Sequence, residues 1–162
     1  MRILLWPHAA LKRVCEPVDL TDTEFRGQLE EMKRVAQAAG GIGLAANQVG
    51  LTKRMLVAYQ PGDGWLSFVN PRIVEFVGAW SMVDEGCLSL PGIFIPHKRN
   101  SEVVVESVDL ETGSIVVNSY RGQLGHILQH EIDHLDGKMM VDYLPSSWKD
   151  HLRVYMRKLR RR

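Results

Sequence analysis

His130-Glu131-Ile132-Asp133-His134 is the stretch whose residue types and spacing are most suited to chemistry. On a helix, positions four apart lie one above the other, so both imidazoles can reach one cation. Glu131 falls beside them, where a carboxylate can take a proton from water held by the ion. Ile127, Leu128, Ile132 and Leu135 surround the motif with the apolar residues a packed helix needs. A third histidine, His126, sits four residues before His130. From His126 to His134 the axial rise is about 12 Å at ~1.5 Å per residue, too far for one ion to collect both. The glutamate must lie between the ligating pair, which selects His130 and His134. His126 is expected as a flanking or pocket-wall residue.

A catalytic metal site takes a third protein ligand and keeps a position open for water. Proteases with this motif find the ligand downstream, either as a histidine six residues after the second one or as a more distant glutamate. Here the first of those positions is Met140, and no glutamate follows Glu131. The ligand is therefore sought upstream, and Cys87 is the candidate, in Asp84-Glu85-Gly86-Cys87-Leu88-Ser89-Leu90-Pro91-Gly92. Taken alone, such a cysteine is best read as a buried inert thiol. Beside a histidine pair short of a ligand, it is read as a thiolate ligand.

Several elements must bring these residues together. Residues 21–39 are predicted as a helix, with a capping box between Thr21 and Glu24 and with Phe25, Leu29, Met32, Val35 and Ala39 at helical spacing. Gly40-Gly41 ends it. Strands are expected over about 54–59, 66–69 and 72–77, with Pro61-Gly62-Asp63-Gly64 and Asn70-Pro71 as turns between them. Val103–Val105 and Ile115–Val117 are expected as two strands joined near Glu111-Thr112-Gly113. The metal motif falls in a helix over 122–136. A last helix, about 146–160, places Trp148, Leu152, Tyr155 or Met156, and Leu159 on one face. Helices flanking short strands without βαβ alternation predict an α+β fold: a mostly antiparallel sheet around the metal-motif helix, with N-terminal and C-terminal helices.

Composition narrows the function classes. The 162 residues and 18.4 kDa suit one domain, and 45% hydrophobic with 24% charged residues is close to the soluble average. The longest apolar runs, such as Ile3–Trp6, are too short for a membrane span or a signal-peptide core, and no Arg/Ser-rich transit segment is present. Two cysteines, Cys15 and Cys87, are too few for a disulfide framework, so a reduced cytoplasmic setting is expected. The net charge of +1 hides an asymmetry. Residues 145–162 carry Lys149, Arg153, Arg157, Lys158, Arg160, Arg161 and Arg162 against Asp150, a net +6, which leaves −5 for residues 1–144. A catalytic region over 1–145 followed by a basic amphipathic helix over 146–162 is the expected organisation.

Three segments together resemble the peptide deformylases: Gly41-Ile42-Gly43-Leu44-Ala45-Ala46-Asn47-Gln48, Glu85-Gly86-Cys87-Leu88-Ser89 and Gln129-His130-Glu131-Ile132-Asp133-His134-Leu135-Asp136-Gly137. Their order and spacing match as well, and the resemblance runs from about residue 3 to Leu144. It implies removal of the formyl group from N-formylmethionyl peptides emerging from the ribosome. It implies a metal held by Cys87, His130 and His134, with iron(II) the usual ion and zinc, nickel or cobalt also suited to the donors. Glu131 would move the protons, while the Gln48 side chain and the Leu88 amide would hold the oxyanion. Ile42, Gly43, Glu85, Gly86 and Arg99 would contact substrate, the Gly41–Gln48 strip pairing with the peptide like an added strand. It places His126 near the methionine pocket, on the turn before the ligands. The chain departs from the family around Ile95-Pro96-His97-Lys98-Arg99, where Arg99 matches the usual arginine and His97 is an insertion. The resemblance also favours docking of the basic C-terminal helix on the ribosome. No membrane or DNA partner is expected. Two alternatives stay open from the residues alone: a small metallopeptidase using the same ligands, and a ribosome- or RNA-binding protein with a purely structural metal.

Overall fold

Residues 1–159 are described in the computed structural model. Five strands lie side by side in chain order: β1 (Gly43–Ala45), β2 (Met55–Gln60), β3 (Gly64–Cys87), β4 (Leu90–Val108) and β5 (Ile115–Arg121). Every neighbouring pair is antiparallel. The helices are α1 (Glu24–Ala38), α2 (Gly122–Leu135) and α3 (Ser146–Leu159). The expected α+β class, with an antiparallel sheet around the motif helix, is what the molecule adopts.

All of Met55–Ala58 are buried, so both faces of β2 are covered, with α1 and α2 as its helical neighbours. Phe25, Leu29, Met32 and Ala36 of α1 join these residues and Leu128, Ile132 and Leu135 of α2 in one core. A second cluster gathers Trp6, Leu11, Leu90, Ile95, Met139, Met140, Leu152 and Met156. It ties the N-terminal segment and α3 to the hairpin that bears Cys87. The two clusters therefore hold the two sides of the motif region: α2 in one, the β3–β4 tip against the other.

Several local expectations are corrected. The strands over 66–69 and 72–77 are one strand, β3, and Asn70-Pro71 is not a turn. Asn70 adopts φ 52°, and its amide brackets Val18, accepting from the Val18 N–H at 2.7 Å and donating to the Val18 carbonyl at 3.1 Å. The ladder shifts register between Val69 and Arg72 but continues, as at a bulge. The capping box is not formed either. The Thr21 hydroxyl donates to Asp19, α1 starts at Glu24, and the Glu24 N–H is taken by Asp22. Ala36, not Ala39, is the buried alanine of α1. In α3 the buried residues are Leu152 and Met156, while Trp148 is 64% exposed. His97 causes no irregularity: β4 pairs without a shift from Phe94 to Asn100, opposite Gly86 to Trp80. The last part of the expected helix, residues 160–162, lies outside the described residues. Among the described residues no helix is long and apolar enough to cross a membrane.

Candidate metal centre

Three elements meet at the motif. α2 presents His130, Glu131 and His134; the β3–β4 tip presents Cys87; β1 and the short 3₁₀ turn after it (Ala46–Val49) present Gly43 and Gln48. The Leu4 N–H donates to the Gln48 carbonyl at 2.7 Å, and the Trp6 N–H donates to the Ser89 carbonyl at 3.0 Å. The N-terminal segment thus laces the first motif to the second. Asn47 Nδ2 donates to the His134 carbonyl, fixing the same turn to the end of α2.

One ligand atom each from Cys87, His130 and His134 lies within 4.8 Å of the others. Cys87 Sγ is 3.2 Å from His134 Nε2, and the two imidazole rings stand edge to face at 4.9 Å. Donors at about 2.0–2.3 Å from one ion are separated by distances of this order, so the three residues fit a divalent metal. His130 Nδ1 lies 2.9 Å from Glu85 Oε2. The carboxylate accepts the Nδ1 proton, which leaves the Nε2 lone pair for an ion. Burial works against a charge on His130, yet its hydrogen bonds to Cys87 and Glu85 outweigh burial and raise its proton affinity well above the ordinary range. Burial and the neighbouring His130 hold His134 well below that range, in the neutral form that ligates. A pocket that favours one positive charge between a thiol and a carboxylate suits a cation.

Glu131 is buried, and its Oε2 has no hydrogen-bond partner among the described residues. Burial pushes its carboxyl up to about 7, the range suited to a group that both takes and gives a proton at neutral pH. β1 passes directly over it. A Cβ on Gly43 would stand 2.8 Å from Ile127 Cγ2 and closer still to Glu131 Oε1, so any larger residue there would displace one of those side chains.

Gln48 is 1% exposed. Its Oε1 accepts from the Ala45 N–H at 2.8 Å, which aims Nε2 at Ser89 Oγ (3.2 Å) and Cys87 Sγ (3.5 Å). Leu88 sits at the hairpin tip beside Cys87. Ile42, Gly43, Glu85, Gly86, Leu88, His130 and Glu131 all line a cleft of about 770 Å³ that opens over the ligand atoms. His126 lines it too, one turn before His130, as a wall residue. Arg99 does not line it. Its guanidinium is buried behind the ligands, where Nε and Nη2 meet Glu85 and Nη1 donates to Asp133 at 2.6 Å. These contacts hold Glu85 near a pKa of about 2: burial opposes its charge, while the hydrogen bonds from His130 and Arg99 prevail.

Other wall residues, Ile3 and Leu5 from the N-terminal segment and Val83, Ile93 and Phe94 from the hairpin, carry no sequence signal of a site. They are apolar residues at ordinary strand or loop positions, and only the folded chain places them together. The Glu85–His130 contact was equally unmarked.

The chain matches the family model described as polypeptide deformylase over residues 1–150. It is 36% identical over 152 residues to a peptide deformylase of Rhizobium meliloti, covering 91% of this chain and 87% of that protein. It is 43% identical over 133 residues to one from Acetivibrio thermocellus, covering 82% and 76%. The crystal structure of peptide deformylase from Ehrlichia chaffeensis superposes with a TM-score of 0.92 at 32% identity, covering 99% of this chain and 97% of the other.

Proposed function

The chain belongs to the polypeptide deformylase family, and from that premise we propose which of its residues perform the reaction. The enzyme is a metal-dependent hydrolase that removes the N-formyl group from formyl-methionine at the start of newly made polypeptides, releasing formate. The observation that carries the assignment is the convergence of one donor atom each from Cys87, His130 and His134 within 4.8 Å, at a cleft lined by Cys87, His130 and the buried Glu131.

Cys87, His130 and His134 hold the cation. A divalent ion there supplies Lewis-acid polarisation and lowers the pKa of water toward about 7. Glu131 accepts the proton of the attacking water as its oxygen bonds to the formyl carbon. It then delivers that proton to the amine nitrogen as the C–N bond breaks, so that formate and a free amino terminus leave. Gln48 Nε2, aimed beside Sγ, and the Leu88 N–H donate to the oxyanion that forms. Ile42 and Gly43 pair with the peptide main chain, because β1 is the free edge of the sheet and faces the cleft, and Gly86 of β3 contacts the peptide from the opposite wall. Arg99 acts from behind rather than on the peptide, and Glu85, which also lines the cleft, holds His130 in its ligating tautomer.

The donor set of one thiolate and two imidazoles suits iron(II), zinc, cobalt or nickel, and the family resemblance favours iron(II) as native. Residues 1–145 form the catalytic part. α3, with its basic residues, is a candidate handle for ribosomal RNA: Arg153, Arg157 and Lys158 are exposed on a helix anchored by Leu152 and Met156, while Lys149 donates to the Asp142 carbonyl. A cytoplasmic location goes with a substrate met as it leaves the ribosome.

The test is formate release from a short formyl-Met peptide, with metal analysis after anaerobic purification. Cys87→Ala loses metal and activity together; Glu131→Ala keeps metal and loses about 10²–10⁴-fold in turnover. A Cys87→Ala protein with stoichiometric metal and normal rate would refute the ligand set. Truncation from Arg157 keeps peptide turnover but weakens ribosome co-sedimentation at low salt. Unchanged co-sedimentation removes the handle.

A further inference from the structure

α2 turns one face to the cleft. Gln123, His126, Ile127, His130 and Glu131 line it, and spacings of three and four put them on successive turns of that face. The proposed mechanism uses His130 and Glu131 but leaves His126 without a role. His126 lies one turn, about 6 Å along the axis, from His130. Its ring forms part of the cleft wall, and its Nε2 is buried without a hydrogen-bond partner among the described residues.

The helix cannot roll His126 away. A Cβ on Gly125 would stand 2.7 Å from the Tyr120 carbonyl oxygen, so α2 is pressed against the end of β5 at that turn. Gln129 then locks the rotation: its Oε1 accepts from the Asn100 N–H at 3.0 Å, and its Nε2 donates to the Asn100 carbonyl at 2.9 Å. A buried ring nitrogen left without a partner is unfavourable. The protein supplies none, so the group that can pair with this ring is one that arrives in the cleft. Histidine χ2 is a soft torsion, which lets the ring offer either edge.

What arrives there follows from the proposed binding mode, on which this inference rests. The formyl carbon sits at Cys87, His130 and His134, and the peptide main chain runs beside β1. The side chain nearest the reacting carbon, that of the first residue, then faces α2 and meets His126 one turn along. A neutral imidazole can donate an N–H. A thioether sulfur accepts weakly, a sulfoxide oxygen strongly, and a methylene not at all. Gln123, exposed at the rim, adds an amide donor.

We propose that His126 is a specificity-determining residue, which makes the pocket for the first side chain favour a hydrogen-bond acceptor at its tip. The enzyme then deformylates chains that begin with oxidised methionine, the sulfoxide, in preference to those that begin with the all-carbon analogue norleucine. Ile127 and Val83 supply the apolar wall that methionine itself uses.

The experiment compares kcat/KM for three short peptides that differ only in the first residue: formyl-Met, formyl-Met sulfoxide and formyl-norleucine. The metal-loaded enzyme is expected to turn over the sulfoxide faster than norleucine. In His126→Leu the sulfoxide-to-norleucine ratio falls by several-fold to about tenfold, the worth of one neutral hydrogen bond. His126→Asn, which keeps a donor, retains part of the preference. Norleucine preferred over the sulfoxide by the unaltered enzyme overturns the inference whatever the variants do, and so does a ratio unchanged in His126→Leu. In both of those outcomes formyl-Met is still processed, so the deformylase reading survives. Absence of formate from formyl-Met itself overturns that reading instead, and the inference with it.

Discussion

Glu85 stands directly behind His130, its Oε2 2.9 Å from the ring Nδ1. The carboxylate comes from the end of β3 and the imidazole from the middle of α2, so the contact joins the sheet to the helix at the candidate metal site. Arg99 completes it from β4 by pairing with Glu85 and with Asp133, the residue just before His134. Both histidines of the candidate metal site are thereby referenced to one guanidinium, buried where it could not remain unpaired.

Replacing Glu85 separates orientation from charge. Glu85→Gln keeps an acceptor for Nδ1 but removes the negative charge, and metal affinity is expected to fall by about 10–100-fold. Glu85→Ala also strips the Arg99 guanidinium of one of its two carboxylates, and thermal stability falls further, on the order of 3–5 kcal/mol for a broken buried pair. Competition with a chelator measures the first effect and denaturant melts the second. Metal affinity unchanged in both variants would remove Glu85 from the ligand's support.

Gly43→Ala tests how closely β1 must lie over Glu131. Its Cβ would press on Ile127 and on the Glu131 carboxylate, both buried. Overpacking of this kind costs about 1–3 kcal/mol. Turnover should fall with metal content unchanged, since no ligand is touched. Normal turnover would mean that Glu131 has room to move and still work.

The ligand types and the helical spacing of His130 and His134 were legible in the chain because both follow from local periodicity. Cys87 was legible because a histidine pair lacking a third ligand asks for one. The network behind them was not, since Glu85, Arg99 and Asp133 come from three elements and nothing local marks their meeting. Asn70-Pro71 misled in the same way. Its local chemistry favours a turn, but the long-range bracket on Val18 makes it a bulge within a continuing strand. Thr21 could cap a helix, but Asp19 takes its hydroxyl first.

In α3 the expected face is the buried one, through Leu152 and Met156, but its first member is left uncovered. Trp148 reads as an anchor by its spacing from Leu152, yet it is exposed, whereas Met156 is 1% exposed. Met156→Ala should cost about 2–5 kcal/mol. Trp148→Ser should stay within about 0.5 kcal/mol, as surface changes usually do. Urea melts of the two variants decide it, and the reverse order would mean that Trp148 is covered in solution.

Cys15 makes the alkaline limb of stability a test of burial alone. Its side chain is 3% exposed, and burial pushes the thiol up to about 11, against the partial opposition of Arg54 and the Asn47 backbone. A pKa raised in the folded state means that the folded protein holds this proton more tightly than the unfolded chain. The contribution is whole below about pH 9, where an exposed thiol ionises, and is lost as pH rises through about 11. Two units correspond to roughly 2–3 kcal/mol. Denaturant melts between pH 8 and 11 should therefore show the unaltered protein losing stability more steeply than Cys15→Ala, whose midpoint starts lower because a packed side chain has been cut back. The quantity to read is the slope, which the packing loss leaves untouched. Parallel slopes would mean that the Cys15 thiol ionises in the folded protein as readily as in the unfolded chain, and that the segment carrying it opens to solvent before the core does.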